Sequence, residues 1–307
     1  MFAKIVFCQS LWNGTGHIST SSQINWYKAG LLDKSQKAAD FILNITDFGA
    51  APNDTVDDFN AIVNAIDSTR NLDGLTIIYF PSGTFNINST ISLNSNDKDT
   101  VFQGNGASST ILEFRVGRNN VCFQIAGSVI GDKVKLDSGM SKGTNIISVS
   151  NVSNFSVGDW IHYFEYYFPV EKVKKWPKCV GQVTRIDSIN GNKLIIQEKT
   201  SKSYSSQYGP YVEKINPIKN IGIEKLKIKR LDTGKSDDGV TGSNLNFVYA
   251  VNCWVKGVEL ERTCEHHIKV NFSAHLEISG CYFNSANSHN EGDMVMVYVC
   301  REVQIFV

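Results

Sequence analysis

Acidic side chains form two close pairs in the C-terminal third of the chain. Asp237 and Asp238 are adjacent in a Gly- and Ser-rich segment, and Glu259 and Glu261 flank Leu260 at strand spacing. Two carboxyl groups held a few ångströms apart can act as acid and base, or as acid and nucleophile, in glycosidic hydrolysis. Asp237, Asp238 and Glu261 are therefore candidate catalytic residues. The alternatives are a solvated acidic turn for the Asp pair and a solvent-facing strand for the Glu pair.

Two neighbouring histidines, His266 and His267, follow the Glu pair. Strand alternation would direct one of them inward and the other outward. An outward imidazole can serve as a general acid or base near neutral pH, and His267 is taken as that candidate. The alternative is a structural histidine with satisfied hydrogen bonds.

Basic and aromatic side chains supply candidate contacts to a substrate. Lys227 belongs to a basic row with Lys225, Lys229 and Arg230 that could bind an acidic polymer, although such a row is often only a solvated face. Aromatic rings can stack on sugars, or they can form the core of a small domain. The aromatic candidates for sugar binding are Trp160, Tyr163, Tyr166 and Trp176.

Composition excludes several classes of protein. The 307 residues carry 30 basic and 30 acidic side chains, so the formal net charge is zero. Because nucleic-acid binders usually show a basic excess, no nucleic-acid partner is expected. No apolar run approaches the ~20 residues of a membrane-spanning helix. The seven cysteines include no C-x-x-C pair, and Cys253 and Cys281 are interpreted as apolar fillers.

The elements that must position these residues are mostly strands. A single helix is predicted by apolar residues at i, i+3, i+4 and i+7, namely Phe59, Ile62, Val63 and Ile66. Asp57 and Asp58 are predicted to cap it. Short strands are predicted at 44–50, 75–80, 88–93 and 100–106. One helix followed by many short strands indicates a β-solenoid with an N-terminal cap.

A degenerate repeat supports the solenoid. The segments IEKLKI (223–228), VKGVEL (255–260) and ISGCYF (278–283) share apolar residues at their first, fourth and sixth positions. Gly257 and Gly280 occupy equivalent positions, which predicts a period of about 23 residues. Residues 128–215 interrupt this rhythm, and Asn190-Gly191 marks a hairpin within them. They are predicted to be a small inserted β domain.

The segment 44–114 resembles the N-terminal region of pectate-lyase-superfamily proteins, including the rhamnogalacturonase/epimerase-like branch. The matching motifs are DFGA (47–50), the acidic pair before the helix, IIYFPSGTF (77–85), ISL (91–93) and QGNGASSTIL (103–112). FSVGDWI (155–161) is similar to a β module within some members, and NCWVKGVEL (252–260) to the body of a bacterial secreted subgroup. The resemblance implies an all-β, right-handed parallel β-helix and a carbohydrate substrate. It does not fix the chemistry, because the superfamily includes hydrolases, lyases, epimerases and non-catalytic spikes.

Two departures from the family pattern limit what the resemblance implies. Pro52-Asn53-Asp54 stands where the family usually has a Gly-Asp-Gly turn. The polygalacturonase signature is absent, so that family's catalytic residues are not carried over. If the chain is a lyase, Ca²⁺ is the expected cofactor, because elimination from a uronate needs a cation and a base; otherwise no cofactor is expected.

The two ends of the chain carry separate interpretations. Residues 1–8 (MFAKIVFC) are interpreted as the remnant of a signal peptide, or as an ordinary apolar N-terminus. Residues 9–127 would form the leader, cap and first coils, and 216–307 the further coils. The stretch 292–307 lacks turn residues and the repeat, which predicts a frameshift near Gly292. The alternative is a natural end with an apolar edge strand, and sequencing the DNA downstream decides between them.

These observations favour a secreted or cell-surface enzyme that hydrolyses or eliminates within a polysaccharide. The alternatives are a non-catalytic polysaccharide-binding, spike or adhesin protein, and an inactive truncated fragment. The polysaccharide and the oligomeric state are not specified by the sequence.

Overall fold

The computed structural model describes residues 39–165, 180–232 and 241–286, together with two short strands near the C-terminus. One helix, α1, spans Phe59–Thr69. In chain order the strands are β1 Phe41–Asn44, β2 Thr76–Tyr79, β3 Gly83–Ile87, β4 Ile91–Leu93, β5 Thr100–Gln103, β6 Thr110–Phe114, β7 Phe123–Ala126, β8 Ser128–Lys135, β9 Ile146–Ser148, β10 Trp160–Glu165, β11 Val180–Asn190, β12 Lys193–Ile196, β13 Pro210–Asn216, β14 Ile218–Lys219, β15 Ile221–Glu224, β16 Lys227–Arg230, β17 Leu245–Val248, β18 Ala250–Val251, β19 Trp254–Lys256, β20 Glu259–Thr263, β21 Ile268–Asn271, β22 Leu276–Ser279, β23 Tyr282–Ala286, β24 Val297–Val299 and β25 Ile305–Phe306.

Three parallel sheets form the body of the molecule, and each full coil of the chain adds one strand to each sheet. The first sheet has the order β1-β2-β5-β15-β19-β22-β25, the second β3-β6-β16-β20-β23, and the third β4-β7-β17-β21-β24. Every pairing within these sheets joins strands one coil apart in parallel. The chain is therefore the right-handed parallel β-helix that the sequence predicted.

The coil length is constant where no loop interrupts it. Trp254 pairs with Glu277 and Leu245 with Ile268, so both registers advance by 23 residues. Gly257 and Gly280 form the bend between the first and second sheets with φ angles of +60° and +61°. Glycine adopts this left-handed conformation without a steric penalty. The predicted repeat is confirmed.

Alternation along the strands builds the core. Phe85, Leu112, Ile228 and Leu260 follow one another on the inner face of the second sheet and are fully buried. Phe102 and Phe114 both pack edge-on against Phe123, at ring-centroid distances of 5.3 and 5.6 Å. The core is closed on the N-terminal side by α1, whose buried residues are Ala61, Ile62, Ala65, Ile66 and Thr69.

The segment before α1 differs from the prediction in two details. Ile45–Phe48 form a 3₁₀ turn rather than part of a strand. Asp58 occupies the N-cap position but its carboxylate does not cap the helix; it accepts hydrogen bonds from the backbone of Ala51 and Asn86, both at 2.9 Å. Asp58 therefore ties the entering chain to β3, because its two oxygens are engaged outside the helix.

The strands β8 to β13 form a separate antiparallel sheet in the order β8-β13-β10-β11-β12-β9. Its two ends meet at one side, where the amide of Asp137 donates to Ser148 at 2.9 Å and that of Ser150 donates to Lys135 at 3.2 Å. We call this sheet the inserted barrel. Its interior is a second apolar core that contains Leu136, Ile147, Ile161, Leu194 and Val212.

The inserted barrel enters and leaves the β-helix at one point. Ala126 aligns with Val248 and Ile218 aligns with Ala250, through the strands that neighbour each other in the third sheet and in the β14–β18 pair. Gly127 lies at this junction, because a Cβ on it would stand 2.8 Å from the backbone nitrogen of Ile218. The barrel is thus an excursion from an otherwise continuous coil.

The C-terminal strands continue the ladders. Val297–Val299 pair with β21, and Ile305–Phe306 pair with β22, both in parallel. The expectation that solenoid rhythm ends near 292 was wrong at these two strands, where apolar residues extend the sheets despite the lack of turn residues. The frameshift itself stays a prediction for DNA sequencing.

Two absences among the described residues bear on earlier expectations. No described helix is long and apolar enough to span a bilayer. The described cysteines carry free thiols, and Cys253 lies fully buried in the core as an apolar filler.

Candidate functional site

The outward side chains of the second sheet form a polar surface that crosses five coils. We call it the ladder face. One row contains Thr84, Ile111, Lys227, Glu259 and Tyr282, and the parallel row contains Asn86, Glu113, Lys229, Glu261 and Asn284. Neighbours in each row lie one strand spacing apart, about 4.8 Å.

A lysine bridges two carboxylates at the centre of the ladder face. The ammonium of Lys227 lies 3.0 Å from Glu259 Oε1 and 3.4 Å from Glu261 Oε2. The two oxygens therefore lie no farther apart than these two distances combined. Burial opposes the charge on Lys227, yet its hydrogen bonds to both glutamates raise its pKa above the usual value. All three side chains are only about one-fifth exposed, at 19%, 20% and 20%.

The second row carries a matching set of interactions. Lys229 contacts Glu113 at 2.9 Å, and Arg115 lies 3.7 Å from the same carboxylate. Arg115 also donates to the side-chain oxygen of Asn86 at 3.0 Å. Charges on the ladder face are thus satisfied by their neighbours on adjacent coils.

An exposed tyrosine extends the first row. Tyr282 pairs in register with Glu259 and is 63% exposed, the largest aromatic exposure among the described residues. Its neighbour Phe283 packs against the core. The alternation of the strand therefore places the tyrosine ring on the outside.

The structure brings together two of the predicted site residues. Glu261 and Lys227 both point outward and contact each other, and Glu259 joins them. Asp237, Asp238, Tyr166 and Trp176 lie outside the described residues. Their roles, like those of Glu261 and Lys227, stay predictions.

Arg230 is not part of the outward basic row. It is fully buried, and its guanidinium donates to Asp232 at 2.8 Å, to the carbonyl of Ser243 at 3.0 Å and to that of Gly117 at 2.6 Å. Arg230 follows the inward Ile228 at strand spacing, so alternation directs it inside. Its contacts fix both ends of the segment between β16 and β17.

His267 was wrongly predicted to face solvent. It is 1% exposed, and His266 is also buried, because both lie at the bend before β21 rather than on a strand face. The ring of His267 packs 5.6 Å from that of Phe283, and burial lowers the pKa of His267 to about 4. An inaccessible, neutral imidazole cannot exchange protons with a surface substrate.

Trp160 and Tyr163 were wrongly predicted to be surface rings for sugar stacking. Tyr163 is fully buried in the barrel interior, edge-on to Tyr204 at 5.1 Å. Trp160 is 8% exposed and packs against His275 of the β-helix at 5.9 Å. Alternation along β10 directs one ring into the barrel and the other into the contact with the coils.

The sequence interpretation missed a buried polar group between the barrel and the β-helix. Glu213 Oε1 accepts from the hydroxyl of Tyr249 at 3.0 Å and lies 3.1 Å from His162 Nδ1. Burial and the nearby Glu213 carboxylate raise the pKa of Tyr249. These residues are far apart in sequence, and no local pattern connects them.

The described residues provide no obvious metal centre. No three of their His, Cys, Asp and Glu side chains converge on a common point. The closest carboxylates on the ladder face share the Lys227 ammonium, which occupies the position that Ca²⁺ would need. The described ladder face therefore does not fit a calcium ion.

Parallel coils of constant length, with an apolar interior and a polar outer ladder, define a right-handed parallel β-helix protein. A family model described as "Rhamnogalacturonase A/epimerase, pectate lyase-like" matches residues 42–288. The chain belongs to this family.

Several similar proteins come from bacteriophages. The chain is 24% identical to the "Depolymerase, capsule K1-specific" of Klebsiella phage K64-1 over 161 residues, which are 51% of the chain and 18% of that protein. It is 24% identical to the pre-neck appendage protein of Bacillus phage phi29 over 290 residues, with 84% of the chain and 29% of that protein covered. It thus spans under a third of these relatives' length.

A solved structure shares the fold. The tailspike gp61 of Pseudomonas phage phi297 superimposes with a TM-score of 0.50 and 13% identity, over 80% of the chain and 48% of the tailspike.

Proposed function

We propose that this chain recognises and cleaves a polysaccharide of a bacterial surface, with the ladder face as the site of cleavage. The observation that carries the proposal is the Glu259–Lys227–Glu261 group. Two carboxylates held by one ammonium on an accessible sheet face provide the paired carboxyl groups that glycosidic hydrolysis requires. The name of the related capsule depolymerase supports a surface polysaccharide as the target.

Hydrolysis is the reaction that this arrangement supports best. One glutamate would protonate the leaving oxygen, and the other would activate water or attack the anomeric carbon. Lys227 would hold the two carboxylates in place and share its protons with whichever is ionised. Elimination would need a cation beside a uronate, and a lysine stands at the centre of the described group.

Binding without cleavage is the second candidate. It is favoured by the same ion pairs, because a carboxylate held by an ammonium is a poor general acid. In that case the ladder face would only attach the protein to a surface polysaccharide, in a secreted or surface-bound location.

The test is an activity assay of the whole chain with matched variants. New reducing ends and 235-nm absorbance would be followed on a panel of purified capsular polysaccharides and pectins, with and without Ca²⁺. Glu259→Gln and Glu261→Gln are each expected to lower kcat by 100-fold or more, a typical scale of ~10²–10⁴ for acid–base catalysis. Glu277→Gln is the control, since Glu277 pairs with Lys256 at 3.1 Å on the neighbouring sheet with similar exposure.

Each outcome is decisive. Reducing ends that disappear in both ladder variants but persist in Glu277→Gln would support hydrolysis at the ladder face. Activity that survives both ladder substitutions would refute the assignment. Tight binding with no cleavage of the bound polysaccharide would establish the second candidate.

A further inference from the structure

We infer that the saccharide bound on the ladder face is uncharged where it touches the protein, and that one of its rings stacks on Tyr282. This inference rests on the proposed function and adds to it the chemical class of the ligand. It differs from the expectation that a basic row binds a polyuronate.

The charge balance of the ladder face carries the first step. The cations Lys227, Lys229 and Arg115 face the anions Glu113, Glu259 and Glu261, and each cation lies within 4 Å of at least one anion. A uronate that paired with Lys227 would have to displace Glu259 or Glu261. The displaced carboxylate would remain about 80% covered without its cation, which is costly. An acidic sugar therefore gains little at the centre of this face.

Hydroxyl groups face no such penalty. An ammonium has three donors, and Lys227 directs two of them at Glu259 and Glu261. Each ionised carboxylate offers about four acceptor positions. Sugar hydroxyls both donate and accept, so they can use the remaining positions without breaking an ion pair. The ladder face thus complements a polyol rather than a polyanion.

Tyr282 supplies the apolar platform that the charged rows lack. Its ring is exposed, and it lies one coil beyond Glu259 in the same row. An aromatic face packs against the C–H face of a pyranose ring, while the phenol hydroxyl remains available for hydrogen bonding. A ring stacked there would place the adjoining linkage over Glu259 and Glu261.

The rows also give the ligand a direction. Five strands separated by four steps of about 4.8 Å span roughly 19 Å along the helix axis. An extended oligosaccharide of several rings covers this distance. Lys225 and Arg262 are exposed cations at the margins of the sheet, so any contact with acidic sugars would be expected there and not at the centre.

The experiment compares each acidic polysaccharide with its own neutral form. Capsular polysaccharides that contain uronates would be tested before and after chemical reduction of their carboxyl groups, alongside neutral capsular polysaccharides. Binding to the full chain would be measured by titration calorimetry. We expect carboxyl reduction to strengthen binding, and Tyr282→Ala to weaken it about fivefold or more. Tyr208→Ala, a partly exposed tyrosine of the inserted barrel, is the control.

The possible results separate this inference from the proposed function. Tighter binding of the native acidic forms would overturn the inference while leaving polysaccharide recognition intact. Neutral binding that ignores Tyr282→Ala but is lost in Tyr208→Ala would also overturn it, because it would place the ligand on the barrel. Failure of every polysaccharide to bind would contradict the proposed function itself.

Discussion

Single residues inside the coils carry polar groups that an apolar core must accommodate. Arg230 is buried with three oxygen partners around its guanidinium, so its charge is fully engaged. His267 is different, since its Nδ1 is buried without a hydrogen-bond partner among the described residues. Burial of an imidazole favours its neutral form.

His267 makes the protein sensitive to acid. Its pKa is lowered to about 4 by burial, below the ordinary value of 6.5. The unfolded chain therefore takes up this proton first, and the stability due to the neutral ring is lost as pH falls from about 6.5 towards 4. At pH 5 the loss is on the order of 2 kcal/mol.

The prediction concerns the slope of stability with pH. Urea unfolding at pH 7 and pH 5 should show a smaller drop in unfolding free energy for His267→Leu than for the wild type. Comparing slopes cancels the packing change caused by the substitution itself. Parallel slopes for the two proteins would mean that His267 is protonated equally in the folded and unfolded states.

Strand alternation predicted some of these residues and misplaced others. Glu261 and Lys227 face outward as expected, because each lies in the interior of a regular strand. His267 precedes β21 at a bend, where the two-residue period does not apply. The contact between Lys227 and Glu259 needed the register of two coils 32 residues apart, which no local pattern contains.

The bends between sheets set the shape of each coil. Lys225, Gly257 and Gly280 occupy the same bend on three successive coils, with φ angles of +52°, +60° and +61°. A residue with a Cβ pays about 1–2 kcal/mol for this conformation. Lys225 therefore carries strain that the two glycines avoid.

Reciprocal substitutions test this interpretation. Lys225→Gly is expected to stabilise the protein, and Gly257→Ala to destabilise it, each by about 1 kcal/mol. A Cβ on Gly257 would meet no atom within 4 Å, so the penalty is conformational and not steric. Thermal unfolding monitored by circular dichroism measures both changes. Equal stability of all three proteins would show that the bend tolerates a side chain.

The same bends explain what the sequence revealed about the elements. Gly257 and Gly280 mark the period because the bend favours glycine, so the repeat was visible. The closure of the inserted barrel was not, because its last contacts join Asp137 to Ser148 and Ser150 to Lys135 through backbone atoms alone. Backbone pairing of this kind leaves no signature in side-chain type.

The whole molecule combines a continuous β-helix with a barrel inserted at one point. Removing residues 128–217 would join Gly127 to Ile218 and give the same chain length as Val248-Tyr249-Ala250 on the next coil. The excised chain is expected to keep the β-helix. The domain boundary at 128–215 is tested by the same experiment.

The excised protein should still unfold cooperatively, but it should be less soluble. Its Tyr249, Val251 and Ala274 would lose the apolar cover that Trp160 and Ile215 now provide. Circular dichroism and light scattering measure the two effects. Loss of strand signal on excision would mean that the barrel is needed to form the coils, and Tyr249→Ser in the excised chain should restore solubility if the exposed patch is the cause.

The fixed length of the coil makes the protein a ruler. Each 23-residue repeat moves every outward row by one strand spacing and leaves all other dimensions unchanged. Gaining or losing one repeat would thus change the reach of the molecule in whole increments, without altering its cross-section. Variation in repeat number among such proteins would be a discrete adjustment of span, open to change by duplication of a single short stretch of gene.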